Sequence, residues 1–434
     1  MKQLTRLFIP ICLETLFYML SGMVDTLMLS AVGDYAVGAV GTANSYIGIF
    51  IIMFSIISSG MVSVMTQNIG AGRPGVAYQA RQLGLLFNAV AGVLMAGFLF
   101  SGAGAILRMV GIADALYEPA LIYLKIVGGG CILNAVIPIF SSYLRAFGYT
   151  KQPLYATIVG NIANFVMNAV FLFVLHKGVA GVAAATVISK ILNLCIVLYF
   201  SHKLISAKNS TERIANKTVL GQIVKVGLPS ACETALYNVA MMLVIRFLNQ
   251  MDAEGLNVTA RSYTATISNF SYCVGAALAQ ANAIMTGWHI GAGELEECDR
   301  GTKRAAFVGV CVAVCMETAI VLGSGFIMPL FTDNPEMTAL VRKLLAIDIV
   351  LEIGRVTNLV FGQALKTSGD AVFPAVIAAV FMFVFAVGGT WLFGISMGLM
   401  AVGAYIGLAS DECVRAVGMV WRWKTGKWRT KKLV

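Results

Sequence analysis

Carboxylates recur inside long apolar runs, where acids are expensive: Glu14, Asp25, Glu233, Glu317, Asp348 and Glu352. Holding an ionised carboxylate at bilayer depth costs about 2.5–3.5 kcal/mol on insertion scales, so such residues mark function unless they are paired. A buried acid can exchange protons, and it attracts sodium or an organic cation. Glu14 and Asp25 are 11 residues apart. That spacing is three helical turns, which puts both on one face with Asp25 about 16 Å farther along the axis. Asn161, Asn164 and Asn168 follow at i, i+3, i+7 and make one polar stripe, with Thr186 and Lys190 on the next apolar run. An acid facing amides and a hydroxyl is a cation or proton site, with sodium a candidate occupant at Asp25. The alternative is an interhelical hydrogen-bond network that only joins helices. We read Asp25 as functional and leave Asn161 open.

Glu233 shares a helical face with Tyr237 and Met241. An acid beside an aromatic ring and a soft thioether suits a bulky organic cation, through charge, cation–π contact and adaptable packing. Pairing of Glu233 with Arg246 or Arg261 is the structural alternative. Asp348, Glu352 and Arg355 stand at i, i+4, i+7 with Asn358 alongside, so Glu352 is either a second substrate or cation group or half of a local ion pair. Glu317 has no partner visible in the sequence and receives no role.

These residues need helices that live in lipid. Of 434 residues 59% are hydrophobic and 12% charged, and the mean hydropathy is +0.83. A soluble chain carries about twice that share of charge. The net charge of +10 is not a nucleic-acid footprint. Its cations fall at alternate helix ends: Lys2 and Arg6, Arg73 and Arg81, Arg145 and Lys151, Lys203 to Lys225, Arg300 to Arg304, Lys366, and the tail from Arg422 to Lys432. The intervening loops hold Asp34, Asp114, Glu118, Asp252, Glu254, Asp333 and Glu336. By the positive-inside rule both termini face the cytoplasm, which requires an even number of spans. The first apolar run, from about Leu7 to Ser30, is long enough to span and lacks a cleavage pattern.

The chain repeats itself. Pro10-Ile-Cys-Leu-Glu14-Thr15 returns as Pro229-Ser-Ala-Cys-Glu233-Thr234. Asn68-Ile-Gly70-Ala-Gly72 returns as His289-Ile-Gly291-Ala-Gly293, Leu144-Arg145-Ala-Phe-Gly148 as Leu365-Lys366-Thr-Ser-Gly369, and Pro153 as Pro374. Cutting at charges, prolines and glycines predicts twelve spans: 7–30, 37–66, 78–100, 116–139, 153–175, 180–202, 220–250, 259–286, 303–326, 338–363, 372–394 and 398–421. Six spans return the chain to its starting side, so the halves are expected to be related by a pseudo-twofold along the membrane normal, with substrate between them. The fold expected is an all-α polytopic membrane protein of twelve transmembrane helices in two six-helix bundles. Residues 1–202 form an N-terminal lobe, 203–219 a cytoplasmic linker, and 220–434 a C-terminal lobe with a basic tail.

Other patterns carry less. Nine scattered cysteines and three dispersed histidines offer no disulfide framework and no metal-ligand spacing. Gly70-Ala-Gly72-Arg-Pro-Gly75 fits G-x-G-x-x-G, but an apolar span precedes it where a dinucleotide site needs a strand, so it is read as a cytoplasmic turn. The sequons at Asn209 and Asn216 fall in the cytoplasmic linker and are read as coincidence. Trp421-Arg-Trp423 and Trp428-Arg suggest an interfacial anchor at the inner leaflet.

Together, the stretch from Pro10 to Asp25-Thr26, Gln67-Asn-Ile-Gly70-Ala-Gly72, Leu144-Arg145-Ala-Phe-Gly148 with Pro153, Asn161, Asn164 and Asn168 with Gly178-Val-Ala-Gly181 and Thr186, and Pro229 with Glu233 resemble the multidrug and toxic compound extrusion (MATE) family over essentially the whole chain. The resemblance implies cation-driven efflux, protons or sodium entering while organic cations leave, by rocking of two six-helix lobes. A span 1 acid used in the family matches Asp25, and a span 7 acid used by some members matches Glu233. Others pair the span 1 acid with Asn and Asp on span 5 and Thr on span 6. Asn164 and Thr186 match that set, while Asn168 stands where the partner acid would be. Arg355 occupies the place of a span 10 aspartate, with Glu352 one turn away.

The expected function is therefore a secondary antiporter of the plasma (inner) membrane, working as a monomer without a cofactor. It would export amphipathic cations, with Asp25, Asn164, Asn168 and Thr186 as the coupling set and Glu233, Tyr237 and Glu352 serving the second lobe. Its partners are these small molecules and membrane lipid, not nucleic acid. A lipid or polysaccharide flippase of related architecture is the rival, although a carrier of anionic sugars would line its cleft with cations. A membrane enzyme would need a nucleophile–base pair or a motif such as H-E-x-x-H, and neither is present in the sequence.

Overall fold

The computed structural model describes residues 2–110, 112–205, 212–252 and 255–434, without the side chains of Asp34 and Val110. Asn209, the middle of the expected linker and Glu254 lie outside the described residues. The described residues form helices and no strands. The helices are α1 (Lys2–Ser30), α2 (Asp34–Gly70), α3 (Pro74–Val110), α4 (Asp114–Gly129), α5 (Cys131–Ala146), α6 (Lys151–Ala169), α7 (Gly178–Leu204), α8 (Asn216–Met251), α9 (Leu256–Ala292), α10 (Leu295–Ile327), α11 (Pro335–Ser368), α12 (Val372–Phe381) and α13 (Met400–Lys424). Each expected span is matched by one of these helices, with two departures.

Span 4 is two helices, α4 and α5, bent by 41° at Gly130. Gly128, Gly129 and Gly130 supply no side-chain packing to hold a straight rod there, and glycine is the poorest helix former after proline. Spans 5 and 11 finish in wide π-helical turns, Val170–Val174 and, after a first such stretch at Met382–Val387, Thr390–Ser396. The exits match: Lys177 N–H donates to Phe171 O at 2.8 Å, and Leu399 N–H donates to Phe393 O at 3.1 Å.

Among the described residues, eight helices are long and apolar enough to cross a membrane alone, and the bent α4–α5 pair makes nine. The three that complete twelve are α9, α11 and α13. They are also the helices that bury Ser268 and Ser271, Asp348 and Glu352, and Asp411, Glu412 and Arg415. Their weaker hydropathy is the signature of polar residues turned inward. Large apolar side chains such as Leu86, Phe98, Phe100, Phe326 and Val384 are more than half exposed, as a lipid solvent requires.

The repeat is visible in backbone detail. Gly72 and Gly293 both close a helix at positive φ, 73° and 78°. The N–H after each reaches back five residues, Arg73 to Asn68 O and Glu294 to His289 O, each at 2.8 Å. Such a cap favours glycine because other L residues are strained at positive φ. The G-x-G-x-x-G segment is thus the turn between α2 and α3. α11 begins on Asn334, whose Oδ1 accepts from Glu336 N at 2.9 Å and Met337 N at 3.3 Å, with Pro335 in the first turn.

The chain divides into two compact units, Lys2–Gly227 and Leu228–Val434, so the division falls inside α8, just before Pro229. The first unit packs Phe54, Leu99, Leu107, Leu124 and Val182 into its core, and the second packs Val244, Leu248, Val341, Leu344 and Leu351. The tail departs from the anchor reading. Trp423 and Trp428 are 1% exposed and stack at 4.2 Å inside the second unit, and only Trp421 faces outward. Trp423 Nε1 donates to Asp299 Oδ1 at 2.8 Å, Arg422 pairs with Asp370 at 2.7 Å, and Arg429 with Glu296 at 2.8 Å. Burial alone would push the Asp299 carboxyl up, but hydrogen bonds from Lys303 and Trp423 and the charges of Lys303 and Arg429 outweigh it and hold the acid below its ordinary range.

Candidate functional site

In the first unit, α1 delivers Asp25 to α6. Asn168 Nδ2 donates to Asp25 Oδ1 at 2.8 Å and shares itself with Asn164 Oδ1 at 3.1 Å. Both asparagines are buried and Asp25 is half-buried. The stripe read at i, i+3, i+7 divides in two, because Asn161 turns to the Phe17 carbonyl at 2.9 Å. Asn161 thus joins α6 to α1 through the backbone, and Asn164 and Asn168 serve the acid.

Thr186 donates to its own helix at Val182 O, 2.9 Å away. It reaches the site through Tyr123 of α4, whose hydroxyl has Thr186 and Asn44 of α2 as partners. Lys190 Nζ donates to Asn134 Oδ1 of α5 at 2.8 Å, and its charge acts on Asp25. The cluster therefore holds one acid and one base, each steadied by an amide. Tyr123, Asn44 and Asn134 were not singled out from the sequence. They lie on α2, α4 and α5, so only the packing of these helices against α7 brings them to Thr186 and Lys190.

Glu14, the other acid of α1, is taken by Arg145 of α5, Nη2 to Oε1 at 2.6 Å. Its repeat mate behaves the same way: Glu233 Oε2 meets Lys366 Nζ at 2.7 Å. Neither Arg246 nor Arg261, the partners weighed from the sequence, holds Glu233. Arg261 instead points its Nη2 at Met241 Sδ, 3.8 Å away, and Tyr237 is 41% exposed. Glu233 is thus an ion-paired carboxylate.

The second unit gathers the other acids. Glu317 of α10 and Asp348 and Glu352 of α11 are all buried, and each brings a carboxylate oxygen within 4.8 Å of the other two. Arg355 pairs with Glu352, as the i, i+3 spacing suggested, and stands 3.9 Å from Glu412 of α13. Asn358 Nδ2 donates to Glu412 Oε2 at 3.0 Å. Arg415 closes the group, 2.7 Å from both Asp411 and Glu412. α11 and α13 come this close because Gly354 faces the Glu412–Cys413 backbone, where a Cβ would lie 2.7 Å from Cys413 N. The α13 members were passed over in the sequence, although Asp411 and Glu412 stand at i, i+4 and i, i+3 from Arg415 within an expected span.

The MatE family profile matches residues 10–170 and 229–392, one block in each half of the chain. A Bacillus subtilis (strain 168) protein named "Uncharacterized transporter YisQ" is 32% identical over 428 residues, spanning 97% of this chain and 94% of that protein. The Thermotoga maritima protein named "Probable multidrug resistance protein NorM" is 20% identical over 446 residues, 100% of this chain and 94% of its own. Among solved structures, an outward-facing multidrug resistance MATE family transporter of the MOP superfamily superposes with a TM-score of 0.85 at 21% identity, covering 98% of this chain and 96% of that one. A MOP superfamily transporter from Pyrococcus furiosus Vc1, whose binding pocket is described as reversed in polarity, gives 0.84 at 20% identity, with 99% and 96% covered. Two family blocks laid over two copies of one six-helix plan leave a single conclusion: the chain belongs to the MATE family and is a multi-pass membrane transporter, not an enzyme.

Proposed function

We propose that this transporter is a secondary antiporter of the plasma (inner) membrane, exporting amphipathic, cationic small molecules in exchange for inward protons or sodium. The observation that carries the reading is the Asp25–Asn168–Asn164 chain, an acid inside an apolar lobe held by amides rather than by a direct ion pair. Amide support leaves the second carboxylate oxygen free to take a proton or ligate sodium. Thr186 and Tyr123 supply hydroxyls nearby. An inward monovalent cation gains about 2.3 kcal/mol per 100 mV of membrane potential, which can drive a ligand outward. Glu233, Tyr237 and Glu352 form the second-lobe part of the proposal, and both termini are placed in the cytoplasm. The name of the Thermotoga maritima relative supports drug export.

The test is ethidium efflux from cells expressing the wild type or Asp25→Asn, with the proton and sodium gradients collapsed separately. Efflux should disappear with one ionophore and with Asp25→Asn while the amount of protein in the membrane is unchanged. A fully active Asp25→Asn variant would remove Asp25 from the coupling role. No efflux under any condition would move the assignment to a flippase of lipid-linked substrates.

A further inference from the structure

We propose that the second unit holds a calcium-sized divalent cation between α9, α10 and α11, ligated by Glu317, Asp348 and Glu352 with Ser268 and Ser271. The exporter reading is not needed for this: of these residues only Glu352 figures in it, and Asp25 has no part.

The first ground is unmet hydrogen bonding. Both oxygens of Glu317, Asp348 Oδ2, Glu352 Oε2 and the hydroxyls of Ser268 and Ser271 are buried without a hydrogen bond of good geometry. Ser271 stands beside Glu317 and Ser268 beside Asp348. The serines belong to α9 and the acids to α10 and α11, so three helices turn orphaned oxygens to one place. Buried polar atoms in proteins are otherwise almost always satisfied.

Charge is the second ground. Among the described residues, Arg355 is the one cation paired with this trio, and Arg415 is taken by Asp411 and Glu412. Three carboxylates against one guanidinium leave two negative charges, even before Arg355 is shared with Glu412. Unpaired buried charge costs several kcal/mol per ion. Protonation would remove charge, with Ser271 beside Glu317 as an acceptor for one O–H, but it would not bring the remaining oxygens of the trio around a shared partner. A divalent cation answers both demands together.

Ligand chemistry and spacing select the ion. An all-oxygen set of carboxylates and hydroxyls suits a hard cation and not zinc or copper, which favour nitrogen and sulfur. Six orphaned oxygens match the lower end of calcium's 6–8 ligands. Opposed oxygens around calcium stand roughly 4.6–5.2 Å apart, and around magnesium about 4.0–4.2 Å. The carboxylate oxygens here, one from each acid, all lie within 4.8 Å of one another, inside the span of a calcium shell. Sodium has a similar radius but would leave one of the two charges standing.

The experiment uses the full chain purified in detergent, stripped with a calcium chelator and returned to potassium buffer. Radioactive calcium binding and thermal unfolding are measured for the wild type, Glu317→Gln, Ser271→Ala and Asp25→Asn. One calcium per chain and a raised melting temperature are expected for the wild type and for Asp25→Asn. Binding should be lost in Glu317→Gln and weakened about tenfold in Ser271→Ala, which keeps every charge and guards against misfolding of the glutamine variant. No calcium binding by the wild type, or binding unchanged in both site variants, overturns the proposal. So does stabilisation by sodium where calcium has no effect, since the occupant is then monovalent. Asp25→Asn separates the two readings: lost efflux with calcium binding intact supports both, and active efflux with no calcium binding refutes both.

Discussion

The two halves place the same ion pair with different cations, Glu14 with Arg145 and Glu233 with Lys366. The repeat makes both acids legible in the sequence, because Pro10 and Pro229 precede them at equal spacing. Their partners were not legible as partners: Arg145 lies 131 residues from Glu14, and only folding joins them. The pairing of Glu352 with Arg355 was within reach because it is local, one turn along α11. Arginine already serves in the first half, so Lys366→Arg should melt within a degree or so of the wild type. Lys366→Met strands a largely buried carboxylate and should cost roughly 3 kcal/mol, the low end for breaking a buried pair. Thermal unfolding in detergent reads this out, and the double variant Glu233→Gln with Lys366→Met should recover part of the loss. Equal damage in Lys366→Arg and Lys366→Met would show that the lysine's geometry matters beyond its charge.

Helices meet where their side chains allow, and one close approach in the first unit is not announced by the sequence. A Cβ on Gly60 of α2 would lie 2.0 Å from Ile223 O, and one on Gly227 of α8 would lie 1.8 Å from Ile56 O. Backbone stands against backbone, and the start of α8 is held further by Gln79, which donates to Ile214 O at 2.7 Å. Period and hydropathy locate α2 and α8 as rods but do not say where they touch, since glycine's value there lies in the partner helix. The Gly130 bend escaped for a related reason: its glycines read equally well as packing sites in a straight span. Gly227→Leu should force α2 and α8 apart and destabilise the lobe by more than the 1–3 kcal/mol or so typical of overpacking, because no flexible side chain can yield. Gly221→Ala, with nothing within 4 Å, is the control and should be neutral or slightly stabilising through helix propensity. Folded yield and melting temperature decide it, and a Gly227→Leu protein as stable as the wild type would mean the helices separate freely.

At the scale of the whole chain, a topology follows from charge alternation and parity together. Twelve spans bring the chain back to its starting side, and the ends carrying Arg73, Arg145, Lys203, Arg300, Lys366 and Arg422 are the alternate ones. The opposite ends carry Asp114, Asp252, Asp333 and Glu336, with Arg108 and Lys177 as basic exceptions. The positive-inside bias is counted over short loops such as these, so the sum of the basic turns is a vote for the cytoplasm. Cysteines placed at Asp333, between α10 and α11, and at Arg300, an exposed residue in the first turns of α10, test that vote at both ends of one helix. In intact cells an impermeant thiol reagent should label Asp333→Cys, and Arg300→Cys should react only after permeabilisation, each against the background of the native cysteines. The reverse pattern would turn the whole molecule over, because parity leaves no way to invert one helix alone. It would place the Glu14–Arg145 and Glu233–Lys366 pairs at the outer face, and a coupling cation reaching Asp25 from outside would then enter from the opposite end of α1.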